Sequence, residues 1–243
     1  MYDSPVSIDP NTLLSTVTGE AFQPVRLYYA IPSKAVVAKV FKRLKCMDED
    51  KDAGCWVWLY EKEAARLRFG NPREDLPAAA HPIVIGRFHI DGAGTGMFLA
   101  VRSNERAFEA AKFFRPLLGS KVRLARVRIV NHWFKVSEMA AGLDKLDALL
   151  DADVTSIDRD ADDAPSKKKA AARAIMADPA AAMHPGLPLI EDFPLHPEDA
   201  TPGFDDLKLA LQLRQAHAEH RWRGSHASLF DIIKKAVAAK GKL

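Results

Sequence analysis

The sequence predicts an α+β fold: a mixed, mostly antiparallel sheet with helices on one face. Three observations carry this expectation. Residues 81–134 read as strand, glycine-rich turn, strand, helix, strand. The segments before them alternate apolar and polar side chains with the period of two that a half-buried strand requires. Helix-capping residues fall between those strands, which gives the order β-α-β-α-β-β-α-β-α. A linker and C-terminal helices are expected to follow.

Residues 1–23 lack periodicity, hold Pro5 and Pro10, and read as a flexible arm. The run 25–31, VRLYYAI, is rich in β-branched and aromatic residues and alternates as a strand does. Ser33 is placed to cap a helix over 34–45, with Val36, Val37, Val40, Phe41 and Leu44 as its apolar stripe. MDEDKDAG reads as an acidic loop before a strand over 55–60 and a short helix near 61–69. Within 81–134, Asp91-Gly92-Ala93-Gly94-Thr95-Gly96 is a hairpin turn, because a strand follows it. A phosphate loop needs a helix N-terminus there. Asn104 caps the next helix, and Ser137 caps another running to about 150.

The sequence places an α+β domain at 24–151, an acidic Pro-rich linker at 152–202 and a C-terminal helical segment at 203–243. Charge supports these divisions. Residues 1–151 hold 22 Lys and Arg against 18 Asp and Glu, 152–200 hold 5 against 10, and 201–243 hold 8 against 4. In the linker, Leu187, Leu189, Ile190, Phe193 and Leu195 suit an extended segment docked on a groove. Phe204, Leu207 and Leu211 form one apolar helical stripe, and Leu229, Ile232, Ile233 and Ala236 form another.

The chain of 243 residues is 48% hydrophobic, enough for a real core. Two cysteines, Cys46 and Cys55, are too few for a disulfide framework. No signal-like pattern opens the sequence and no apolar run reaches membrane-spanning length, so a cytoplasmic protein of bacterial type is expected.

Strand parity yields the main functional expectation. Arg26 and Tyr28 share one face of the first strand, Trp56, Trp58 and Tyr60 one face of another, and Arg126 and Arg128 one face of the last. If these faces coincide, aromatic rings and guanidiniums stand together as they do on single-stranded nucleic-acid platforms. The competing reading is that Trp and Tyr are core, their commoner fate. Arg221 and Arg223, flanking Trp222, form a second basic-aromatic patch. His217, His220 and His226 are spaced as metal ligands, but Arg214, Arg221 and Arg223 would repel a cation. Asp48, Asp50 and Asp52 imitate a calcium loop without its glycine or its final glutamate. His89 and Asp91 with Arg87 are the best hydrolytic pair, and no nucleophile motif accompanies them.

The expectation is therefore a non-catalytic binding protein with no cofactor and no metal. Its partners would be single-stranded nucleic acid or an acidic protein surface. The alternatives are a protein-interaction or homo-oligomeric adaptor using the C-terminal helices, and a hydrolase using His89 and Asp91. The acidic stretch 151–163 would either mimic nucleic acid or cover the basic face until a partner displaces it.

Overall fold

The computed structural model describes residues 9–152, 187–195, 204–225, 231, 232 and 234. Seven antiparallel strands form one sheet: β1 (Val25–Ala30), β2 (Met47–Asp50), β3 (Cys55–Leu59), β4 (Val84–Ile90), β5 (Gly96–Val101), β6 (Arg123–Val130) and β7 (Ile190–Pro194). Their spatial order is β2-β3-β4-β5-β1-β6-β7. Helices α1 (Lys34–Phe41), α2 (Asn104–Leu118) and α4 (Asp205–Trp222) accompany it, and α3 (Leu143–Ala148) is a short helix after β6. The α+β class expected from the sequence is the one observed.

Local chemistry explains the element ends. The Ser33 hydroxyl accepts from Val36 N at 3.4 Å and starts α1. At α2 the cap is Ser103 rather than Asn104, accepting from Arg106 N at 3.1 Å. Asn104 is instead the first helical residue, its amide donating to Gln23 Oε1 and Leu211 O, both at 3.1 Å. The hairpin turn between β4 and β5 forms as expected: Asp91 Oδ1 accepts from Thr95 N, and Gly94 takes a φ of +71°. Gly86, inside β4, is needed for close approach. A Cβ there would lie 2.8 Å from Leu99 Cδ1.

Other elements differ from the sequence reading. MDED is strand β2, paired with β3, because Met47 points inward opposite Trp58. The helix expected after Ser137 is broken into a 3₁₀ turn over Val136–Ala141, then α3, then another over Leu149–Asp151, with Gly142 at a φ of +93° between the first two. The arm over 9–23 is tied down. Leu14 N donates to Phe134 O at 2.8 Å, Val136 N donates to Thr12 O at 2.9 Å, and Phe22 is buried. The stretch read as linker supplies edge strand β7, because Glu191 and Phe193 turn inward as a strand demands. Residues 153–186 and 196–203, and most of 226–243, lie outside the described residues, and with them His226 and all of the second apolar stripe but Ile232, which is buried.

Side-chain parity divides the sheet into two faces. Val25, Leu27, Tyr29, Trp56, Trp58, Phe88, Leu99, Val127 and Ile129 face α1, α2 and α4 and make the main core. Phe41, Phe88 and Phe114 pack ring on ring at its centre, with centroids 4.8 Å apart for Phe41–Phe88 and for Phe88–Phe114. A second, smaller core forms on the other side at the end of β6. There Val130 and Phe134 meet Leu14, Phe22, Leu146 and Leu150. That anchor lays α3 and the turn after it across one end of an otherwise open sheet face.

Candidate nucleic-acid interface

The open face is built from two rungs that cross the sheet. In the first, His89 faces Phe98, Phe98 faces Tyr28, Tyr28 faces Arg126, and Arg126 faces Pro194. Residues opposed across a ladder share a face, so this rung is continuous from β4 to β7. The second runs Arg87, Ala100, Arg26, Arg128, Asp192.

The first rung is a row of π surfaces ending in a guanidinium. His89 stacks on Phe98 with centroids 4.8 Å apart and an interplanar angle of 19°. Phe98 meets Tyr28 at 5.6 Å. The Arg126 guanidinium lies 3.9 Å from the Tyr28 ring centroid, and Arg26 lies 4.8 Å from that of Phe98. Burial, then the nearby Arg26 and Arg87, lower the His89 pKa, so its imidazole is neutral at pH 7.

The arginines are unequally available. Asp192, 1% exposed, accepts through Oδ2 from Arg126 and from Arg128 Nε and Nη2, the last two at 3.1 and 2.8 Å. Arg128 Nη1 also donates to Leu150 O at 3.0 Å and Ala152 O at 3.3 Å. Arg26 pairs with Asp151 and donates to Leu150 O at 3.3 Å. Arg102, at the end of β5, pairs with Asp147 at 2.7 Å. Side-chain exposure is 40% for Arg126 against 16% for Arg128 and 12% for Arg26. Arg87 is exposed as well. Arg126 and Arg87 therefore present charge to solvent, while Arg26 and Arg128 are held by α3 and the residues after it. Five guanidiniums against three carboxylates leave this patch positive.

The expected single surface is corrected in one respect. Arg26, Tyr28, Arg126 and Arg128 do come together, but Trp56, Trp58 and Tyr60 lie on the opposite face and are at most 5% exposed. Register decides this: Trp56 faces Phe88 and Trp58 faces Gly86, both on the helix side. Trp58 stacks on Phe113 at 5.6 Å, and the Tyr60 hydroxyl donates to Leu67 O at 2.9 Å. Arg221 and Arg223 are exposed at the end of α4, on the helix side, and do not join the open face. Arg223 pairs there with Glu219 at 2.6 Å.

Phe98 was missed by the sequence reading, although the same two-residue parity along MFLAVR marks it. Asp192 was missed because it lies in the stretch read as linker. The His89–Asp91 pair gains no support. His89 lies flat on Phe98, and Asp91 spends its carboxylate on the hairpin turn. The hollow beside Asp91, about 490 Å³, is lined by Tyr28, Phe98 and Arg126 but not by His89. Among the described residues no three His, Cys, Asp or Glu side chains converge as a metal site, and no helix is long and apolar enough to cross a membrane. No protein-family model matches the sequence, no curated protein matches it, and no solved structure matches it.

Proposed function

We propose that this is a non-catalytic binding protein whose open sheet face takes single-stranded nucleic acid along the His89–Phe98–Tyr28–Arg126 rung. The observation that supports this reading is the rung itself. Three π surfaces and a part-exposed guanidinium stand in line across four adjacent strands. Unpaired bases stack on such surfaces whatever their sequence, and guanidiniums meet the phosphates between them. Exposed Arg87, one rung away, adds a second phosphate contact. The reading also assigns Arg26 and Arg128 a different job from the one expected. They fix α3 to the face, and they meet no phosphate as long as Asp151 and the Leu150 and Ala152 carbonyls hold them.

Fluorescence anisotropy of a labelled oligothymidylate against the full chain tests it. Phe98→Leu keeps apolar volume but removes a stacking plane, and is expected to weaken binding about fivefold or more, since one stacked base is worth about 1–3 kcal/mol. Arg87→Gln with Arg126→Gln is expected to lower the salt dependence by roughly 0.7 per lost phosphate contact. Unchanged affinity and slope in these variants would sink the proposal.

A further inference from the structure

The helix side of the sheet carries a second concavity, unrelated to the open face. It is a cavity of about 810 Å³ between the C-terminal turn of α2 and the start of β6. Sites for small molecules occupy about 300–1,000 Å³ and pair an apolar lining with a few convergent polar groups. This one has both. Leu118, Val122, Leu124 and Phe204 line its body.

Two further features say what it would take. Tyr29 lines the cavity and is 7% exposed, yet its hydroxyl has no hydrogen-bond partner among the described residues. Burying a hydroxyl without a partner is costly, and a ligand acceptor would remove that cost. Burial also pushes the Tyr29 pKa up, so the group is a neutral donor with no tendency to become an anion. The charged lining residues are Lys112, Arg115 and Arg123, with no carboxylate among them, although Lys112 pairs with Glu109 at 3.4 Å just outside the lining. Arg115 stacks on Phe204 at 5.0 Å, joining the cationic part of the lining to the apolar part.

We infer that this cavity binds a small apolar carboxylate. One oxygen of its head group accepts a hydrogen bond from the Tyr29 hydroxyl, its charge is balanced by exposed Arg123, and its body packs on Leu118, Leu124 and Phe204. The inference does not depend on nucleic-acid binding, because Tyr29 and Tyr28 point to opposite faces of β1.

Calorimetric titration of the full chain with decanoate and with decan-1-ol, both kept below micelle-forming concentration, tests it. The expected result is saturable one-site binding of decanoate, with the alcohol at least tenfold weaker. Tyr29→Phe is expected to weaken decanoate about tenfold without lowering the thermal midpoint, since it deletes an unpartnered hydroxyl. Val122→Trp, at a half-buried position of the lining, is expected to block the site while leaving the core intact. Three results would overturn the inference. One is an absence of saturable binding, as when the cavity is closed by the chain itself. The second is equal binding of acid and alcohol, which makes it an apolar hollow only. The third is decanoate binding that neither variant alters.

Discussion

Inside the core, Glu20 and Arg106 form an ion pair at 3.0 Å, with side chains 1% and 3% exposed. Thr16 and Thr18 donate to Glu20 Oε2, and the Ser103 hydroxyl donates to Oε1 at 3.3 Å. Burial alone would raise the Glu20 pKa, but Arg106 and the two threonines outweigh it and hold the carboxyl below its ordinary value. A carboxylate lowered on folding contributes stability that is fully present above its unfolded value near 4.5. That contribution is lost as pH falls through the lower folded value. Glu20→Gln leaves the Arg106 charge buried and unbalanced, and is expected to cost about 3–5 kcal/mol. Urea unfolding at pH 7 checks the cost. The difference between variant and parent should shrink as pH is lowered below 4.5. A difference that stays constant with pH would mean that Glu20 is not the carboxylate responsible.

At the scale of elements, α3 sets how much of the open face is available. Leu146 and Leu150 anchor it in the small core at the end of β6. Asp147, Asp151 and the Leu150 and Ala152 carbonyls then occupy Arg102, Arg26 and Arg128. These carboxylates compete with phosphate for the same guanidiniums. Asp147→Asn with Asp151→Asn is therefore expected to tighten oligothymidylate binding several-fold and steepen its salt dependence. Asp151 is 64% exposed and Arg102 and Asp147 are 29% and 31% exposed, so solvent screens both pairs and the change in folding stability should stay within about 1 kcal/mol. Unaltered binding would show that the face is not limited by its own acidic residues.

Across the whole molecule, what could be foreseen followed from periodicity, and what could not followed from register. The residues of β1, β4, β5 and β6, the hairpin turn and the Ser33 cap obey local rules, and the sequence shows them. That Arg26 and Tyr28 share a face is fixed within one strand. Whether the Trp56–Trp58 face coincides with it depends on which residue opposes which across the two intervening strands, β4 and β5. Only the pairing of Trp58 with Gly86, and of Arg87 with Ala100, decides that. β7 escaped notice because its run is five residues long and contains Glu191 and Asp192. Those two acidic residues are tolerated in an edge strand because each meets arginine: Glu191 pairs with Arg214 of α4, and Asp192 with Arg126 and Arg128. The two sides of the sheet thus carry different chemistry, a sealed aromatic core under the helices and an open rung on the other face.

The claim that the open rung is the binding surface is tested most directly by NMR. Resonances of the His89, Phe98 and Tyr28 rings and of the Arg126 and Arg87 guanidiniums would be followed as oligothymidylate is added to the full chain. The account predicts saturable shifts at these side chains with upfield movement of the stacked ring protons, while Trp56 and Trp58 stay unperturbed. Shifts confined to Arg221, Arg223 and the end of α4, or no shifts at any side chain, would contradict it.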